Sequence, residues 1–345
     1  MTSTLPTDRA VSDLRALPKA HLHLHLEGGM RPATLAELAA EHGMDVPVVS
    51  GFGSFAAFAG MYLTACEVLR RPEDLVRLVQ ETADDAVAAG AVYVEPAIYL
   101  PHHLDRLGPP EEVLELLLEA SRSARDRTGV EIGWMVNADR TVDPADAVEQ
   151  ARLAARHAGH GVVAFGLAND ELLGAPGLFK DAFDIARDAG LLSTPHAGEL
   201  DGPHSVIAAM DLLGADRVQH GVRAVERDGL PERIADRGVC LDVCPTSNVL
   251  LSVVPSIEDH PLPLLLAAGV RTSINADDPL LFGPGLLEEY ELCRTTFELD
   301  DLTMARIASA SIEAAGACPH TKADALNGID EWLTAAAAIP SNGSA

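Results

Sequence analysis

Lysine is almost missing from this chain. It stands only at positions 19, 180 and 322, and all basic residues together number 25 against 52 acids, a formal net charge of −27. So little positive charge argues against nucleic acid and anionic membrane surfaces as partners, because both need a basic face. Cysteine is scarce as well. Its five copies, at 66, 240, 244, 293 and 318, are odd in number and lack CxxC spacing, which fits a reduced, cytoplasmic compartment. No run of eighteen apolar residues occurs, and residues 1–17 carry acids without an apolar stretch. Neither a membrane span nor a signal peptide is therefore expected. Aromatics make up 4% of the chain, yet Phe52, Phe55 and Phe58, three of only eight phenylalanines, gather in 44–62 among Gly51, Gly53 and Gly60. That concentration reads as an apolar lid over a pocket.

What the chain does have is Lys19-Ala-His-Leu-His-Leu-His-Leu-Glu-Gly-Gly29. Histidines 21, 23 and 25 alternate with leucines 22, 24 and 26. Period two predicts a strand with the three imidazoles on one face. Gly28 and Gly29 then free the backbone for a turn. Imidazole is the commonest metal ligand among side chains. Neighbouring histidines on one strand face lie roughly 7 Å apart, whereas all three span about 13 Å. One ion therefore takes an adjacent pair, and His23 with His25, nearer the C-terminal end, is the pair expected.

The rest of the chain alternates apolar strands with helical segments. Strands are expected at 91–98, 130–136, 161–167, 191–195, 217–219, 239–243 and 270–274, with helices at 32–42, 72–89, 111–127, 144–158, 178–189, 205–213, 230–237 and 261–268. Three further helices close the chain. Counted from position 20 there are eight strands in about 300 residues, the arithmetic of a (β/α)8 TIM-type barrel, α/β in class. No composition shift marks an internal boundary, so residues 1–345 are expected to form one metal-dependent hydrolase domain with loose tails at about 1–13 and 340–345.

Polar residues stop these strands one after another: His25-Leu-Glu27, Glu95, Asn137, Asn169-Asp170, His196, His220, Cys244 and Asp277-Asp278. Barrel active sites are built at the C-terminal strand ends, so these residues converge if the sheet closes. His23, His25, His196 and Asp277 form the best ligand set: three imidazoles and a carboxylate, a mix that suits zinc and also iron or cobalt. Two-metal barrel hydrolases often use a modified lysine at strand 4, and strand 4 has none, so a single ion is expected. Beside the ligands, Glu199 is placed to exchange a proton with substrate. His220 could orient and deprotonate a water, and Asp278 is free to hydrogen-bond substrate.

These residues match a known pattern. From Leu17 to about Trp332 the chain resembles the adenosine deaminase family of the amidohydrolase superfamily. The resemblance rests on Pro18-Lys-Ala-His-Leu-His-Leu-His-Leu-Glu-Gly28, Pro195-His-Ala-Gly-Glu199, Gln219-His-Gly-Val222, Val243-Cys-Pro-Thr-Ser-Asn248 and Asn275-Ala-Asp-Asp-Pro279. It implies a barrel with one zinc on His23, His25, His196 and Asp277. It also implies that Glu199 protonates purine N1, His220 works on the water and Asp278 contacts N7. Glu27 is implied to hold the ribose, where many members carry Asp. Asn169 stands where the family usually has a glycine whose N–H reaches N3, and its side chain adds bulk and polarity near the sugar edge. His21 stands where the family often has an acid.

The resemblance implies a small purine nucleoside as substrate. Adenosine and 2′-deoxyadenosine come first, adenine and 6-aminodeoxyfutalosine are alternatives within the class, and a non-catalytic purine-binding protein is the alternative outside it. The HxE and PCxxC signature of zinc deaminases that act on nucleic-acid bases is absent.

Overall fold

A computed structural model describes residues 12–338. Nine parallel strands follow the chain: β1 (Lys19–His25), β2 (Ala91–Ile98), β3 (Glu131–Ile132), β4 (Trp134–Asp139), β5 (Val162–Ala168), β6 (Leu192–Ala197), β7 (Arg217–His220), β8 (Cys240–Val243) and β9 (Arg271–Ile274). β3 and β4 are the expected third strand, interrupted at Gly133, where a Cβ would lie 2.2 Å from the Tyr93 hydroxyl. The sheet runs β1-β2-β4-β5-β6-β7-β8-β9, with β3 beside β2. After β9 the chain meets β1 again: Asp277 N–H donates to the His23 carbonyl (3.0 Å), and His25 N–H donates to the Asp277 carbonyl (3.1 Å). The result is a nearly closed eight-strand barrel with helices outside, as the strand count implies.

Local sequence explains the alternation. The helix Pro72–Ala89 starts with proline at its first position, acids in its first turn, and Asp74 accepting from the N–H groups of Arg70 (3.0 Å) and Arg71 (2.9 Å). It stops at Gly90, in the left-handed region at φ 76°, where a Cβ would sit 2.0 Å from the Arg15 carbonyl oxygen. Only glycine fits that turn into β2.

Two expectations need correction and one gains detail. The segment 44–62, expected as a lid, holds the start of a helix, Phe55–Cys66, its first turn capped by Ser54. Phe58 stacks on Phe282 (ring centroids 5.1 Å apart) and meets Phe52 edge-on, so the lid is anchored by burial worth roughly 2 kcal/mol per ring. Second, the three strand-1 imidazoles do not share a face. The pairing register of β1 shifts between His21 and Leu24, a bulge held by Asn275, whose Oδ1 accepts from the N–H groups of Leu22 (2.7 Å) and His23 (3.1 Å). His21 turns away, accepts from Ala276 N–H (3.2 Å), and lines a groove with Leu24, Met30 and Ala86. Third, Glu95 is not at the mouth of the barrel. It lies mid-strand, fully buried, and pairs with Arg217, which also donates to Asp242 (2.8 Å).

The expected loose tails fall mostly outside the described residues. Ser12, at their edge, is buried and donates to Asp301 (2.7 Å). No helix among the described residues is long and apolar enough to cross a membrane.

Candidate active site

The C-terminal strand ends bring most of the expected polar residues to one cavity, but not Glu27, Glu95, Asp170 or Cys244. Its lining includes His25, Phe55, Phe58, Tyr62, Asn137, Asp139, Asn169, His196, Glu199, His220, Asp277 and Asp278. His23 lies beneath it, fully buried, with its ring 4.9 Å from His196 and 4.5 Å from His220, centroid to centroid. The local backbone is forced: Asn169, His220 and Asp277 hold positive φ angles of 79°, 65° and 61°. Non-glycine residues rarely accept this conformation, and it clusters where function fixes side-chain direction.

Several of these groups are oriented as metal ligands would be. His23 Nδ1–H donates to the Asp242 carbonyl (3.1 Å), and His196 Nδ1–H donates to the Leu167 carbonyl (3.0 Å). Both rings therefore present Nε2 to the cavity with a lone pair. His23 Nε2 is buried and has no hydrogen-bond partner, the mark of an atom built to face a cation. Asp277 Oδ1 lies 3.3 Å from His23 Nε2 and 3.5 Å from His25 Nε2, while its Oδ2 accepts from Ser247 (2.7 Å). Donor atoms of His23, His196 and His220, and of His25, Asp277 and Asp278, lie within 4.8 Å of one another in each trio. The His/Asp cluster is thus a potential metal-binding site, and the donor set fits zinc.

Burial and charge set the protonation of the remaining groups. Burial, then the charges of Asp277 and Glu171, push the Glu199 carboxyl well above its usual range. Burial and neighbouring Asp277 do the same to Asp278. Burial would also raise Asp277, but His23, His220 and His25 outweigh it and hold this carboxyl well below its usual range. Burial, then His23, keep His220 neutral, well below the ordinary imidazole value. His23 itself is pulled down by burial but raised on balance by Asp277. So a proton competes with a cation for its Nε2.

Supporting residues that the sequence did not single out now become visible. Glu171 holds the turn that carries Glu199, accepting from the N–H groups of Glu199 (2.9 Å) and Asp201 (2.7 Å) and from the Ser205 hydroxyl (3.0 Å). Asn248 bridges His220 Nδ1 and His260 Nε2, 3.1 Å from each. Its amide nitrogen donates to His220 Nδ1 and its carbonyl accepts from His260 Nε2–H, so the pair fixes the His220 ring with Nε2 facing Glu199 (3.4 Å). Arg140 donates to the carbonyl of His196 (2.6 Å). Asp278 reaches its place because Gly28 has no side chain: a Cβ there would lie 1.7 Å from Asp278 Oδ1.

Glu27 is placed differently from expectation. It is buried and does not line the cavity. Oε1 accepts from His103 Nε2–H (2.6 Å), and Oε2 accepts from the Tyr62 hydroxyl (2.7 Å). Burial would raise its pKa, but the His103 bond outweighs that and holds the carboxyl at about 2. Neither partner was predictable from strand periodicity, because Tyr62 arrives on the lid helix and His103 from the turn after β2.

The profile of the adenosine deaminase family matches residues 18–332. The chain belongs to the adenosine deaminase family. A Streptomyces coelicolor relative, provisionally named an adenosine/adenine deaminase, is 43% identical over 94% of this chain and 99% of its own. A Chelativorans relative named adenine deaminase is 40% identical over 89% of this chain and 96% of its own. Among solved structures, an amidohydrolase from Burkholderia ambifaria with bound Zn is similar, with a TM-score of 0.84 at 28% identity, covering 94% of each chain. This deaminase is therefore a hydrolytic enzyme of the adenosine/adenine deaminase type on an amidohydrolase barrel.

Proposed function

We propose that the enzyme hydrolyses the 6-amino group of free adenine, yielding hypoxanthine and ammonia, with one zinc on His23, His25, His196 and Asp277. In that role zinc supplies a Lewis acid that lowers the pKa of water towards about 7. The chain's own groups do the rest. His220, its Nδ1 held by Asn248, orients the attacking water as oxygen joins C6. Glu199, protonated because it is buried, gives its proton to N1, which lets the ring accept the new bond. Asp278, also protonated, donates to N7, which is an acceptor. The C6–N bond then breaks: the amino group takes the water's other proton and leaves as ammonia, and the C6 hydroxyl returns its proton to Glu199, giving hypoxanthine.

Glu27 carries the choice of the base over the nucleoside. Glu27 is buried, does not line the cavity and bonds His103 and Tyr62, so the carboxylate expected at a ribose is shielded from the cavity. This moves the choice from adenosine, first on sequence grounds, to adenine. The relative named adenine deaminase supports the same reading. Nucleotides fit poorly, because the cavity lining includes Asp139, Glu199, Asp277 and Asp278 but no lysine or arginine. Ammonia release should therefore give a kcat/KM for adenine at least about 10-fold above that for adenosine, with AMP inert. Faster turnover of adenosine than of adenine would refute the free-base reading while leaving the deaminase chemistry intact.

A further inference from the structure

We propose that Asp139 reads the N9–H of adenine and makes the site selective for the free base. This rests on the free-base reading above. Asp139 ends β4, and Asn169 follows β5. In the barrel order, β4 lies four strands from β8, and β5 lies four strands from β9, after which Asp277 and Asp278 stand. Asp139 and Asn169 thus line the wall of the cavity across from Asp277 and from Asp278, the group that faces N7. The purine edge that meets them carries N3 and N9.

That edge has one donor and one acceptor. N3 can only accept, and so can a carboxylate, so Asp139 pairs with N9–H or with nothing. The carboxylate is 6% exposed and is held by three neutral donors: Thr141 N–H (2.8 Å), the Thr141 hydroxyl (2.6 Å) and the Asn169 amide (3.0 Å). No cation pairs with it in these bonds, and a polar N–H from a ligand completes its shell. In adenosine N9 carries carbon, so the donor is gone and the sugar must enter beside an acceptor already engaged.

Asn169 supports the assignment independently. It holds φ 79°, where glycine would be unstrained. Its side chain earns that position: the amide clamps Asp139, and its Oδ1 accepts from Asp170 N–H (2.9 Å). The same side chain takes up room at the N9 edge that a ribosyl group would need.

The test compares adenine, 9-methyladenine and adenosine as substrates of the zinc-loaded wild-type, Asp139→Ala, Asp139→Asn and Asn169→Gly enzymes. Metal content and circular dichroism are checked for each. Wild type should favour adenine over 9-methyladenine by at least about 10²-fold in kcat/KM, the scale on which a site rejects an analogue lacking its hydrogen-bonding group. Asp139→Ala should bring that ratio to within about 3-fold, mainly by lowering adenine turnover. Asn169→Gly should lower the ratio less and raise adenosine turnover. Should Asp139→Ala not fold, the isosteric Asp139→Asn decides, with a drop in the ratio of at least about 5-fold expected. An unchanged ratio in the folded variants overturns the proposal. So does a loss confined to adenosine, which would make Asp139 a sugar ligand. Faster wild-type turnover of adenosine than of adenine, by contrast, defeats the free-base reading itself.

Discussion

Glu199→Gln is expected to lower kcat for adenine by at least about 10²-fold while leaving the zinc content at about one ion per chain. Addition of oxygen at C6 breaks the aromaticity of the ring. The barrier falls only if N1 gains a proton as the C–O bond forms, so the donor must be an acid that is still protonated at neutral pH. Glu199 meets that demand because burial, then Asp277 and Glu171, raise its pKa. Glutamine keeps the size and a hydrogen-bond donor but cannot release a proton. The turn should survive the change, because Glu171 holds it through the backbone of Glu199 and Asp201 rather than through the Glu199 side chain. Steady-state kinetics with metal analysis on the same preparation check this. A fully zinc-loaded Glu199→Gln enzyme with near wild-type kcat would remove Glu199 from the chemistry.

The second large effect concerns the ligands. His196→Ala and Asp277→Ala should each lose most of the zinc. Activity should fall by at least about 10³-fold, since a Lewis acid contributes several kcal/mol and each 1.4 kcal/mol is tenfold. The barrel should persist, because Asp277 joins β1 through its backbone and His196 pairs with β7 through its own. Removing metal from the wild type should reproduce the loss, and adding zinc should restore activity to wild type but not to the variants. The sign with pH follows from His23, whose pKa Asp277 raises. Ligation needs the neutral ring, so lowering the pH should favour zinc release and raising it should favour retention. Either variant with one tightly bound zinc and wild-type kcat would remove that residue from the shell.

The eight-strand count was legible because it needs only periodicity and turn signals, which act over a few residues. Convergence of the strand-end histidines and aspartates was legible for a related reason: closing a parallel barrel carries every C-terminal strand end to one mouth. The β1 bulge was not. It depends on Asn275 capturing two N–H groups of a strand some 250 residues earlier, as the contacts to Leu22 and His23 record. Alternation alone put His21 beside His23 and could not reveal the slipped register. The lid helix was hidden by Gly60, which reads as a breaker yet sits in open space within Phe55–Cys66.

Glu27 shows the same limit at the site. Its position after β1 was correct, but the direction of its carboxylate is fixed by Tyr62 and His103, neither of which belongs to a strand end. Asp139 drew no notice because an acid after an apolar strand looks like an ordinary turn residue. Only the cavity wall, with Asn169 bonded to it, separates it from that reading.

The central claim is hydrolysis at C6 of adenine, and oxygen isotope transfer tests it most directly. With adenine and the zinc-loaded enzyme in H2(18)O, the account predicts hypoxanthine carrying one 18O at C6, with one ammonia released for each molecule formed. Hypoxanthine without solvent oxygen, or adenine left intact under conditions where the metal site is full, would contradict it.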